Sequence, residues 1–269
     1  MDFKLFCENI QLPKEAVNTI ENCTLSNEDY NMYRKLFYHD MDKFFEIMKS
    51  HKNYRQLFLT LYTHFAIDTY EEYQLKNIAD SVYFDTFSDL TIWYNNCVRD
   101  FEESGLNAYG WLCHHIKMEL FRIGRLQFQP QALSESLIIN NTVLPKGQIV
   151  LNVHIPQGGP LIPEECERSY EMAREFFEGR QPVFVCFSWL MSTRLREVLE
   201  PNSNILKFQN RYHICSIDEE KRQAEERIFI QVQDNPDNYP ENTSLQKNVK
   251  KYLQSGKKIG VGIGVFIDF

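Results

Sequence analysis

Between Tyr33 and Phe101, apolar side chains recur at intervals of three and four residues. Tyr33, Leu36, Phe37, Met41, Phe44, Phe45 and Met48 form one series, and Tyr54, Leu57, Phe58, Leu61, Tyr62 and Phe65 form the next. Phe87, Leu90, Tyr94, Cys97 and Phe101 form a third, which Gly105 stops. This spacing puts each series on one face of a helix. Ser26, with Asp29 three residues on, reads as a capping box at the start of the first. A last helix, over about residues 108–120, carries Trp111, His115 and Ile116 near one face. No proline falls between Pro13 and Pro130. Residues 1–118 therefore read as a helical domain, a bundle of about five helices packed by aromatic rings.

After Leu120 the period drops to two. In FRIGRLQFQP, residues 121–130, Arg125, Gln127 and Gln129 share one strand face while Leu126 and Phe128 share the other. Further strands are expected over 136–143, with Asn140 and Asn141 as a turn, and over 148–155, ended by Pro156. A loop from Gln157 to Leu161 leads into a helix that Pro163 opens and Gly179 closes, with Cys166, Tyr170, Ala173, Phe176 and Phe177 as its core stripe. Residues 183–191, 203–214 and 227–233 then read as strands, and Ser192 as the cap of a short helix. A helix through Leu245, Val249, Tyr252 and Leu253 ends at Gly256, and a strand over 259–269 closes the chain. Gly260, Gly262 and Gly264 in that strand open no helix, so they are expected to admit a close backbone neighbour rather than a phosphate. The fold class is α+β: a helical domain over 1–118, then a mostly antiparallel sheet with one β-α-β step over 119–269.

Composition narrows the setting. Hydrophobic residues are 43% and aromatic ones 14%, enough for a substantial core. The net charge of −8 leaves no basic surplus for phosphate backbones, so no nucleic-acid partner is expected. The apolar runs fall short of the roughly 18 residues a membrane helix needs. MDFKLFCENIQ has no apolar h-region, so no signal peptide is expected either. The seven cysteines are scattered without a C-x-x-C, which fits reduced thiols in the cytoplasm and no metal site. Cys113, His114 and His115 are adjacent on a helix and point in different directions, so they read as structural, as do His39 and His64.

The stretch from Gln148 to Met191 carries the chemistry. A strand, a Gly-Gly loop and a helix N-terminus together can hold an anion through free amides. FRIGRLQFQP, VHIPQGGPLIPEEC, FVCFSWLM and SNILKFQNRY resemble a bacterial family of two-domain acyltransferases. Its members have a helical N-acyltransferase N-terminal domain and a GNAT-like mixed-sheet C-terminal domain. The resemblance covers most of the chain and is strongest over residues 121–212. It implies acetyl-CoA or another acyl-CoA as co-substrate, with no metal. The edge of the strand at Val153 and Ile155 is then expected to lie along the pantetheine arm. The loop residues Gln157, Gly158, Gly159 and Leu161 are expected to wrap the pyrophosphate. The glycines are shifted from the usual R/Q-x-x-G-x-G/A pattern, and Pro160 removes a donor.

The implied reaction is direct transfer of an acyl group, acetyl as the first expectation, to the amine of a small molecule or peptide. It needs a base, a donor to the thioester carbonyl and an acid for the thiolate. His154, at the end of the strand, is the candidate base, since histidine titrates near neutral pH. Ser188 is the candidate donor and Tyr212 the candidate acid. Cys186 shares a face with Ser188 and would wall the site or, with His154, form an acyl-enzyme. Arg125, Gln127 and Asn204 are candidates for recognising the substrates. Each of these residues also has a plain structural role open to it, as a turn bond, a small strand residue or a solvated face. Two other readings stay open: a non-catalytic acyl-CoA or small-ligand binding module on a degenerate GNAT fold, and a hydrolase using Cys186 or Ser188 with His154. No G-x-S-x-G elbow supports the last.

Overall fold

The computed structural model describes residues 1–139, 142–177 and 182–266, and the chain divides into two compact units, Met1–Ile123 and Gly124–Phe269. The first unit is built from α1 (Phe3–Asn9), α2 (Lys14–Glu21), α3 (Asn27–His39), α4 (Met41–Ser50), α5 (Tyr54–Leu75), α6 (Asp80–Phe101) and α7 (Tyr109–Ile116), and ends in a short strand, β1 (Phe121–Ile123). The periodic series are the inward faces of α3 to α6. Phe37, Phe44, Phe58, Tyr62, Phe65 and Phe87 are all buried. Their rings meet edge-on or stacked, as with Phe37 on Phe44 at 5.5 Å and Phe58 on Tyr109 at 4.1 Å.

Ser26 caps α3 as expected. Its hydroxyl accepts from the Asp29 amide at 3.0 Å and donates to the Asp29 carboxylate at 2.7 Å. The bundle exceeds the expected five helices because α1 and α2, at 7 and 8 residues, are too short to display a period. On α7, His115 is buried with its Nε2 2.9 Å from an Asp89 oxygen, and Trp111 Nε1 donates to the same oxygen at 3.1 Å. That environment gives the histidine a structural place. Among the described residues no helix is long and apolar enough to cross a membrane.

The second unit follows the order β2 (Leu126–Ala132), β3 (Leu137–Ile139), β4 (Thr142–Leu144), β5 (Ile149–His154), α8 (Pro163–Phe176), β6 (Phe184–Ser188), α9 (Asn204–Gln209), β7 (His213–Asp218), α10 (Gln223–Phe229), α11 (Ser244–Gln254) and β8 (Val261–Phe266). Its strands lie side by side as β2-β5-β6-β8-β7, with β3 and β4 paired as a separate ribbon. Among the described residues only β5 and β6 run parallel, joined by the α8 crossover. Helix α8 covers one face. Its buried Tyr170 ring meets Phe128, Phe184 and Phe266 at 6.0, 4.9 and 5.1 Å. On the other face, Val150, Val185 and Val265 pack with Leu137, Ile139 and Leu144 of the β3–β4 ribbon.

Three expected strands differ. Over 203–214 the apolar residues Leu206 and Phe208 alternate, yet the chain forms α9, because Ser203 caps it by accepting the Leu206 amide at 3.3 Å. Asn204 thus sits in the first turn of a helix, not on a strand. Over 227–233 the sequence also alternates, but Ala224 and Ile228 are four residues apart and bury with Val249 and Leu253, which makes α10 helical until Ile230 reverses its φ to 72°. The strand expected over 183–191 stops at Ser188, whose Oγ accepts the Leu190 amide at 3.2 Å and starts a 3-10 turn over Trp189–Met191. That turn explains the closing glycines. A Cβ on Gly262 would lie 2.4 Å from the Met191 carbonyl oxygen. The expected turn at Asn140-Asn141 and the helix stop at Gly179 fall outside the described residues.

Candidate active site

The parallel ladder between β5 and β6 contains just two residue pairs, Leu151 with Phe184 and Asn152 with Val185. Both strands continue beyond it. β5 stays paired to β2 as far as His154, and β6 to β8 as far as Ser188. The strands therefore separate at Val153 and Cys186, in the middle of the sheet. The Leu151 amide donates across to the Val183 carbonyl at 2.9 Å, so every second residue of β5 turns its backbone toward β6. Past the end of the ladder, the backbone groups with that orientation are the Val153 carbonyl and the amide and carbonyl of Ile155. An extended ligand entering the wedge meets these groups, as an added strand would.

The wedge opens onto the loop before α8. Arg125, in the turn that precedes β2, holds this loop by its carbonyls. Its Nη1 donates to Pro156 at 3.0 Å, its Nε to Pro160 at 3.0 Å and its Nη2 to Gly159 at 2.5 Å, while its own amide donates to Ser169 of α8 at 2.8 Å. The alternation of FRIGRLQFQP assigns Arg125 to the polar strand face. The turn takes it off that face, and its planar fork is spent on the loop backbone. With these carbonyls engaged, the amides of Gly158, Gly159 and Leu161 have no hydrogen-bond partner among the described residues. Gly158 has φ +112°, a conformation closed to L side chains. Gln157, Gly158 and Gly159 are exposed, and Leu161 is buried. Pro163 occupies the first turn of α8, where a missing donor costs nothing, and no side chain caps that end. The loop and helix end thus present free amides with a partial positive charge.

The remaining candidates fall on opposite faces. On β2 and β5, Gln127 pairs with His154 and Gln129 with Asn152. Gln127, Gln129, Gln131, Asn152 and His154 therefore form a polar stripe on the face turned away from α8. His154 Nε2 lies 3.0 Å from Gln129 Oε1 and 3.2 Å from Asn152 Nδ2. Cys186 and Ser188 belong to the α8 face with Phe184. The Cys186 thiol is fully buried, and burial pushes its pKa far up. A thiol in that state, facing away from His154, is a poor nucleophile. Tyr212 is also on the α8 side, where its hydroxyl and that of Tyr170 are 2.5 Å apart; burial raises the pKa of both. Tyr170, which the sequence offers only as a core residue, is thus the partner of Tyr212. Nothing in its helical spacing signals this, since a core tyrosine and core phenylalanine occupy the same stripe positions.

Residues 120–266 match the family model of a GNAT-like C-terminal domain, and residues 1–118 match that of an N-acyltransferase N-terminal domain. The chain belongs to this two-domain acyltransferase family. Among solved structures, an acyltransferase in complex with decanoyl-CoA and teicoplanin is similar, with a TM-score of 0.77 at 20% identity, over 98% of this chain and 87% of that one. An acyltransferase mutant in complex with octanoyl-CoA gives 0.78 at 19% identity over the same shares. At this identity the likeness concerns the fold. No curated protein matches the chain. Within this acyltransferase family, β5, its loop and α8 are the β-loop-α unit that the sequence singles out.

Proposed function

We propose that this family member transfers an acyl group from acyl-CoA to an amine, directly and without an acyl-enzyme. The observation that carries the proposal is the separation of β5 from β6 above a loop with free amides. A pantetheine arm is an extended chain that fits an open strand edge, and a pyrophosphate fits free amides at a helix start. Solved relatives in fold bind decanoyl-CoA and octanoyl-CoA, which supports the same co-substrate here.

In this account Val153 and Ile155 bind the arm, and Gln157, Gly158, Gly159 and Leu161 surround the phosphates. Arg125 acts one step back by fixing the loop. The amine approaches from the polar face, where His154 takes the proton it loses as its nitrogen bonds to the thioester carbon. Ser188, whose oxygen already accepts the Leu190 amide, keeps its hydroxyl proton to donate toward the carbonyl. The C–S bond then breaks, and Tyr212 supplies a proton to the thiolate on the α8 side. Cys186 is wall. The acceptor is a small-molecule or peptide amine and the setting is the cytoplasm.

Calorimetric titration with acetyl-CoA and octanoyl-CoA, followed by a free-thiol assay with a panel of amines, tests the proposal. It predicts binding and amine-dependent thiol release. Binding without release for any amine would make the chain a binding module, and absence of binding would end the proposal.

A further inference from the structure

The polar stripe contains two amide groups that the fold leaves unsatisfied. Gln127 is 1% exposed and its Nε2 has no hydrogen-bond partner among the described residues; Asn152 is 6% exposed and its Oδ1 has none. The other end of the Asn152 amide already faces Gln131 Oε1 at 3.4 Å and His154 Nε2 at 3.2 Å, so one end stays open whichever way the amide is turned. Leaving a buried polar atom unpaired destabilises the fold, a cost that a hydrocarbon side chain of the same shape would avoid. Both groups flank His154: Gln127 is its partner across β2–β5, and Asn152 precedes it by two residues on the same face. They therefore lie where β5 parts from β6.

The five side chains of the stripe are four amides and one imidazole, with no carboxylate, ammonium or guanidinium. Such a surface suits a neutral ligand group that offers an acceptor and a donor together. We propose that Gln127 and Asn152 form a subsite for an amide group, with Gln127 Nε2 donating to its carbonyl oxygen and Asn152 Oδ1 accepting its N–H. This rests on acyl transfer taking place at the wedge. Two reactants can bring an amide there: the pantetheine arm, or an amine acceptor that carries a carboxamide or peptide bond.

Gln127→Met removes the hydrogen-bonding group at similar volume. Two quantities are compared with the wild type: the Kd for acetyl-CoA, and the ratio of kcat/KM for glycinamide to that for isobutylamine, which has the same shape without the amide. A weakening of acetyl-CoA binding by about tenfold or more assigns the subsite to the pantetheine amide. Unchanged acetyl-CoA binding with a wild-type preference for glycinamide that falls by about tenfold assigns it to the acceptor. In either case the variant melts at or above the wild-type temperature, because an unpaired buried amide has gone. Should Gln127→Met fail to fold, Gln127→Leu also removes the hydrogen-bonding group, at smaller volume, and gives the same readouts. An unchanged Kd together with an unchanged ratio overturns the subsite and leaves acyl transfer standing. A wild-type protein that binds no acetyl-CoA removes both.

Discussion

Arg125 grips Gly159: its Nη2 donates to the Gly159 carbonyl at 2.5 Å, and the same guanidinium reaches Pro156 and Pro160 at 3.0 Å each. One side chain thus fixes three carbonyls of a loop that lacks secondary structure of its own. The loop's amides are available to a ligand because its carbonyls are already bound. Arg125→Lys, which cannot span three acceptors with a planar fork, should weaken acetyl-CoA binding by about tenfold or more while the thermal melt shifts little. Calorimetry on the variant checks this, and wild-type affinity in Arg125→Lys would contradict the clamp.

His154 lies on the polar face, apart from the loop. His154→Ala should lower kcat by about a hundredfold to ten-thousandfold, the range a general base supplies, with the Kd for acetyl-CoA nearly unchanged. Stopped assays with saturating amine check it. Turnover that survives the change would make His154 a structural group for Gln129 and Asn152.

The buried Cys186 thiol, turned to the face opposite His154, predicts that no covalent intermediate forms. Intact-mass measurement after rapid mixing with acetyl-CoA should show the unmodified chain, and iodoacetamide at pH 8 should leave Cys186 unlabelled until the protein unfolds. An acetyl adduct on Cys186 would replace direct transfer with a two-step reaction.

Burial also raises the thiols of Cys7, Cys97 and Cys166 from about 9 to about 11. The folded chain therefore keeps these protons to higher pH than the unfolded chain does. Their contribution to stability is complete below the unfolded value and is lost as pH rises toward the folded one. Urea midpoints should stay level from neutral pH up to about 8 and decline between about 9 and 11. A midpoint that holds level through that window would contradict the burial of these groups.

Much of this was legible in the sequence, and the exceptions have physical causes. The aromatic series of α3 to α6 were plain because long amphipathic helices repeat their period many times. The β5-loop-α8 unit was plain from Pro156, the glycine pair and Pro163. α9 and α10 were not, because Leu206 with Phe208 and Ile228 with Ile230 alternate like strand residues over segments too short to show a helical period. Arg125 fell in the polar alternation of FRIGRLQFQP, and a turn at Gly124 took it out of register with Gln127. The Gln127 and Asn152 amides were ordinary polar positions in sequence; their unpaired state exists only once β2, β5 and β6 lie side by side.

The central claim, that the wedge between β5 and β6 holds an acyl-CoA, is tested most directly by amide hydrogen exchange with and without saturating acetyl-CoA. The account predicts slowed exchange in residues 153–165, with the amides of Gly158, Gly159 and Leu161 among the most protected, and in residues 186–188 of the facing strand. Saturable binding that leaves both segments exchanging at their free rates would contradict it.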